Sequence, residues 1–206
     1  MGTPKKKGEL LTQTAKSYIE SLVDQEEYKY NDFVETKEMQ KGTMMEGDCI
    51  ELINEIKFTS HKKNEVRLYN EFLTGENDII EPSDEIIKDV KCSWSKKTFP
   101  KTKAQAEAKV KKSGYDWQGV GYMMLANDNG IKINKFVICY CLIDTPDFLC
   151  EWENHEIHIM DDVPLEQRLT EVEFDRDLKK EDLVRLKVQQ CRDYADFYRM
   201  QVKNRM

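Results

Sequence analysis

Residues 135–144, KFVICYCLID, are a continuous apolar run of strand length, and only a strand covered on both faces keeps so many of those side chains out of water. The rest of the chain must therefore supply two covering layers, and helical patterns are there to do it. Ala15, Tyr18, Ile19, Leu22 and Val23 recur at helical spacing over residues 12–24. A second helix is expected from about Thr43 to Ile56. The stretch TKAQAEAKVKKSGYDWQGVGYMMLANDNG reads as helix, broken near Ser113-Gly114 and stopped at Asn129-Gly130. A long final helix, about 179–204, turns Leu183, Leu186, Cys191, Tyr194 and Phe197 or Tyr198 inward.

Two more strand signals accompany the central run. Ile79-Ile80 and Ile86-Ile87 flank EPSDE, whose Pro, Ser and Asp suit a hairpin turn. HEIHIM, residues 155–160, alternates and is expected to be another strand. The sum is an α/β chain of mixed α+β type, a central mixed β-sheet flanked by helices. Its 206 residues suffice for a single domain over 1–206. The expected core lies at about 42–160, with a helical arm over 1–40 and the closing helix behind it.

Composition narrows the function classes. No apolar run approaches the roughly 18 residues of a membrane span, and MGTPKKKGELLTQ lacks the apolar core of a secretory leader. Lys6 stands where a myristoylation signal wants Ser or Thr. A cytoplasmic location follows as the expectation, with no membrane partner. The six cysteines are too scattered for a disulfide scaffold or an iron–sulfur cluster, and Cys139 and Cys141 sit in the apolar run like small buried hydrophobes. A net charge of -7 argues against holding nucleic acid by charge alone. Its distribution is uneven, however: Lys96 to Lys112 carries seven lysines against one acid, Glu107, while Asp144 to Asp182 carries fourteen acids against four bases. Lys96, Lys97, Lys101 and Lys103 are the candidates for contact with a phosphate backbone.

The hairpin carries the chemistry. Side chains alternate along a strand, so Asp89 and Lys91 point the same way while Val90 points oppositely and leaves its carbonyl beside them. A turn centred on Ser83 and Asp84 sets Ile80 opposite Ile87 and Asp78 opposite Asp89. Two carboxylates that close repel unless a cation lies between them, and oxygen ligands suit Mg²⁺ or Mn²⁺. On the second helix, Glu46 falls on the face of Cys49, Ile50 and Ile53, which supplies a third inward acid, whereas Glu51 and Glu55 face water. Gln118 and Tyr122, four apart, share a helix face.

These residues resemble a known signature. GENDII with Asp78, then IKDVK with Asp89 and Lys91, is similar to the PD-(D/E)XK nuclease motif, with Asp at the second acidic position and Asn77 where Pro is common. GYDWQGVGYMML supplies Gln118 and Tyr122 in the QxxxY arrangement of the RecB-like and lambda-exonuclease-like (YqaJ-type) branch. GTMMEGDCIE supplies Gly42 and Glu46, resembling that branch's GxxxE. The likeness spans about residues 42 to 122. It implies a restriction-endonuclease-like core and a metal-dependent DNA exonuclease of phage or prophage recombination or repair, with Glu46, Asp78, Asp89, Lys91, Gln118 and Tyr122 as catalytic residues. It further implies Glu46, Asp78, Asp89 and the Val90 carbonyl as metal ligands, and DNA contact through Gln118 and Tyr122. A single-strand annealing protein and a homo-oligomer are the partners that the resemblance brings in, since the branch includes a ring-shaped trimer. Trp94 or Phe99 would stack on an unwound base. Two other readings stay open: a non-cleaving DNA-binding or virion-assembly protein with this fold, and an interaction protein whose acidic third mimics DNA.

Overall fold

The computed structural model describes residues 11–151 and 153–204. The reading of the first residues as neither leader nor lipidation site lies outside them. By its contacts the chain forms two compact units, one built from the segments up to Val34 and from Leu178 onward, the other spanning Glu35–Asp177.

The larger unit is organised around β5, Lys135–Cys141, in which every residue after Lys135 is buried. β5 lies inside a four-stranded sheet of order β3-β4-β5-β6, where β3 is Ile79–Glu81, β4 is Ile86–Cys92 and β6 is Leu169–Asp175. β3 and β6 run antiparallel to their neighbours, and β4 and β5 run parallel. A parallel pair needs a long connection, and two helices provide it: α4, Lys103–Ser113, and α5, Tyr115–Asp128. The Thr102 hydroxyl caps α4 by accepting from the Gln105 N–H, and Gly114, at φ +75°, ends α4 and starts α5. A small antiparallel ribbon, β1 (Leu68–Tyr69) with β2 (Thr74–Gly75), stands apart from the main sheet.

The two faces of the sheet carry separate cores. On one, Ala106, Val110, Met123 and Ala126 of α4 and α5 pack on Ile87, Phe136, Ile138 and Val172. On the other, Cys49, Ile50, Leu52 and Ile53 pack on Ile79, Val90, Val137, Cys139 and Cys141. These four helical residues belong to α3, Glu46–Lys57. The single helix expected from Thr43 to Ile56 is thus two: α2, Lys37–Met44, ends at Met45 and α3 begins at Glu46. The chain bends where Glu46 must reach the sheet edge, and apolar periodicity does not register a bend.

HEIHIM is not a strand. Asn154 caps a 3₁₀ turn over His155–Ile157, and His158 is fully buried with its ring nitrogens 2.9 Å from Thr145 Oγ1 and 3.0 Å from Glu153 Oε2. The fourth strand is β6, LTEVEFD. It is an edge, with Thr170, Val172 and Phe174 opposite Tyr140, Ile138 and Phe136 of β5, and with Glu171 and Glu173 in the alternate positions. Charges along an edge discourage pairing with another chain.

In the smaller unit α1, Gln13–Tyr28, packs on α6, Leu178–Lys203, through Ile19 and Val23 against Cys191, Tyr194, Ala195 and Tyr198. Tyr18 and Leu22 of α1, and Leu183, Leu186 and Phe197 of α6, are exposed rather than inward. Val184 and Val202 are buried instead. No helix among the described residues is long and apolar enough to cross a membrane.

Candidate active site

The hairpin register places the acids. Ile80 pairs with Ile87 and Ile79 with Lys88, so Asp78, one residue before β3, falls across from Asp89. Asp78 Oδ2 accepts the Val90 backbone N–H at 2.5 Å, which ties the residue before β3 to the middle of β4. Asp89 is 1% exposed. Its Oδ2 lies 2.6 Å from the Lys91 ammonium, and its Oδ1 accepts from the Gln118 amide at 3.2 Å. The same amide donates to the Tyr122 hydroxyl at 3.0 Å, so QxxxY works as one polar face on α5 aimed at β4.

Gly119 makes that approach possible. A Cβ at this position would lie 2.1 Å from a ring carbon of Phe136, so only glycine lets α5 come this near β5 with Gln118 at the cleft.

Glu46 enters from the opposite side, as the first residue of α3. Its Oε1 is 3.0 Å from the ammonium of Lys63, a residue of the connection between α3 and β1. The seven residues expected as catalytic groups or metal ligands, Glu46, Asp78, Asp89, Val90, Lys91, Gln118 and Tyr122, line one cleft of about 470 Å³.

The electrostatics are those of crowded acids. Burial, with the neighbouring Asp89 charge, pushes the Asp78 carboxyl up to about 7, against the pull of the Val90 N–H. Burial likewise raises Asp89, with Lys91 opposing. Burial works against the Lys91 ammonium, but the Asp89 charge more than offsets it, and the amine stands above its ordinary value. Lys91 also lies 4.6 Å from the centre of the Tyr115 ring, in cation–π range.

Two carboxylate oxygens, Asp89 Oδ2 and Glu46 Oε1, are buried, and each has a single ammonium group beside it, Lys91 at 2.6 Å and Lys63 at 3.0 Å. Three acids against two ammonium groups leave the cluster short of positive charge. An all-oxygen donor set from Glu46, Asp78 and Asp89 fits a hard divalent ion.

Other cleft residues escaped the sequence reading. Tyr115 precedes Gln118 by three and Tyr122 by seven, a helical spacing that marks the same face. Lys109, part of the lysine run, lies over the Tyr140 ring at 5.1 Å and donates to the Thr98 carbonyl at 2.9 Å. Tyr140 enters through the register of β5 against β4, opposite Lys91, which no sequence pattern discloses.

The other lysines of the run do not line the cleft. Lys96 pairs with Asp162, Lys101 donates to the Lys96 carbonyl at 2.8 Å, and Lys97 and Lys103 are exposed. Phe99, 4% exposed, is core and unavailable for stacking on a base. Trp94 is half-buried, edge-on to His158, with its indole N–H donating to Glu153.

Behind the cleft, the fully buried Lys41 of α2 donates to the carbonyls of Ser93, Trp94 and Ile143 and to the Thr145 hydroxyl, at 2.8 to 3.2 Å. α2 is thereby bolted to the chain leaving β4 and β5.

A sheet with helices on both faces and an Asp-Asp-Lys cluster at its hairpin, backed by a QxxxY helix, defines a nuclease of the PD-(D/E)XK class. Among solved structures, a phage-related exonuclease from Haemophilus somnus 129PT is 32% identical, with a TM-score of 0.89 over 100% of this chain and 92% of that one. The chain belongs to that family, the phage-related, lambda-exonuclease-like exonucleases. The alkaline exonuclease LHK-Exo from Laribacter hongkongensis shares the fold, at 13% identity and a TM-score of 0.61 over 96% of this chain and 87% of that one. A second structure of LHK-Exo, in complex with dAMP, gives 14% and 0.57 over 92% and 83%. No family model and no curated protein matches the sequence.

Proposed function

We propose that this exonuclease hydrolyses phosphodiester bonds of DNA with a divalent cation, Mg²⁺ or Mn²⁺, held by Glu46, Asp78, Asp89 and the Val90 carbonyl. The observation that carries the reading is that three acids, Glu46, Asp78 and Asp89, line one cleft, two of them raised by burial and by their neighbours' charge. When bound, such an ion supplies a Lewis acid that stabilises charge on phosphoryl oxygens and lowers the pKa of water.

The chain's own groups do the rest. Lys91, favoured as an ammonium, presents positive charge where the phosphoryl group gains negative charge. Gln118 fixes the Asp89 carboxylate and the Tyr122 hydroxyl together, leaving the phenol proton to donate to a strand lying in the cleft. Lys97 and Lys103, both exposed, add positive charge for the DNA backbone. Membership of a phage-related family supports phage or prophage DNA recombination or repair as the setting.

Cleavage of end-labelled linear duplex and of covalently closed circles, in Mg²⁺, Mn²⁺ and EDTA, tests this. Metal-dependent loss of the linear substrate is expected, and Asp89→Ala or Lys91→Ala should lower the rate roughly 100-fold or more with the fold retained. Full activity in either variant would sink the assignment. Absence of cleavage in every metal, with DNA still bound, would favour a non-cleaving DNA-binding protein.

A further inference from the structure

Lys63 has no place in the resemblance, yet the fold takes trouble to put it where it is. The connection after α3 has no regular structure near this residue, but it is pinned on either side. Before Lys63, the His61 N–H donates to Asn54 Oδ1 at 2.7 Å, its carbonyl accepts from Asn54 Nδ2 at 2.9 Å, and its ring nitrogen lies 2.8 Å from Glu81 Oε1. After it, the Asn64 N–H donates to the Asp78 carbonyl at 2.7 Å, and its side-chain amide donates to the Asn77 carbonyl at 2.9 Å. One clamp thus holds α3, which carries Glu46, and the other holds the backbone of Asp78. Between them the ammonium of Lys63 is set 3.0 Å from Glu46 Oε1, within the field of Asp78 as well.

We propose that Lys63 is the resident counter-cation of the acid cluster: its ammonium stands in for the divalent ion at Glu46 and must be displaced when that ion binds, so this one side chain sets the affinity of the site. The proposal rests on the metal reading above. Charge supports the exchange. Three carboxylates face two ammonium groups, Lys91 and Lys63, and replacing the second by a divalent ion brings the cluster to neutrality. Mobility permits it, because the Lys63 side chain is 48% exposed and can swing into water while its clamped backbone stays in place. The Lys91 ammonium, by contrast, pairs with the nearly inaccessible Asp89 and stays. The Lys63 end of the pair is half in water and contributes little to folding, so the consequence of Lys63 falls on metal binding rather than on stability.

Calorimetric titration of Mn²⁺ into the DNA-free protein tests the idea, with Lys63→Met, Lys63→Arg and Asp89→Asn beside the wild type. Lys63→Met removes the competing charge and should bind Mn²⁺ about five-fold more tightly, while Lys63→Arg should bind within about two-fold of wild type. Thermal unfolding in EDTA and in Mn²⁺ should show a larger metal-induced rise in Tm for Lys63→Met than for the wild type. Unchanged or weaker Mn²⁺ binding by Lys63→Met overturns the proposal while leaving the metal site standing, provided that Asp89→Asn weakens binding. Equal tightening by Lys63→Arg also overturns it, since charge is then not the cause. A wild type that binds no Mn²⁺ at all removes the metal reading and this inference with it.

Discussion

Asp78 gives the metal-free protein a pH dependence of its own. Its carboxyl stands at about 7, above the ordinary 3.8, first because it is buried and then because Asp89 is beside it. A carboxyl raised by folding binds its proton more tightly in the folded chain, so its contribution to stability is complete below the ordinary value and is lost as pH rises through about 7. In EDTA, Tm should therefore fall between pH 6 and pH 8 by more in the wild type than in Asp78→Asn, which cannot ionise; equal slopes would contradict the crowding of acids described above. At this scale the sequence was informative. Asp89 and Lys91 announced themselves because charged residues two apart on an apolar strand need a reason. Lys63 gave no such sign, because its meaning lies in two clamps made by residues distant along the chain, Glu81 on one side and Asp78 with Asn77 on the other.

The helices and strands work as holders for that cluster, and α5 is the one with the least latitude. Gly119→Ala brings a methyl group to 2.1 Å from the Phe136 ring, so α5 has to move off β5 and take Gln118 with it. Overpacking of this kind costs about 1–3 kcal/mol. A denaturant melt should show that loss, and cleavage should fall further than stability alone accounts for; wild-type stability in Gly119→Ala would show that the close approach is not needed. The elements easiest to read from sequence were those whose apolar pattern decides their place: β5, the hairpin with its register, and the α4–α5 break at Gly114. β6 was missed because an edge strand needs only Thr170, Val172 and Phe174 on its inner face, and acids stand between them. HEIHIM misled for the converse reason. Its alternation is that of a strand, but His158 is buried by the polar network of Thr145 and Glu153 and not by a ladder.

On the scale of the molecule, the whole cleft belongs to the unit Glu35–Asp177, and Glu46, Asp78 and Asp89 are each set by a different piece of that unit: α3, the entry to β3, and β4. Lys41 completes the frame by joining α2 to the chain beyond β4 and β5, a role no sequence pattern assigns to a lysine. The central claim is that this frame exists to hold a divalent ion among Glu46, Asp78 and Asp89. Crystals soaked in Mn²⁺ and measured at the manganese edge test it most directly. The account predicts an anomalous peak between those three carboxylates, with the Lys63 ammonium moved away from Glu46. Strong peaks elsewhere and none in the cleft would contradict it.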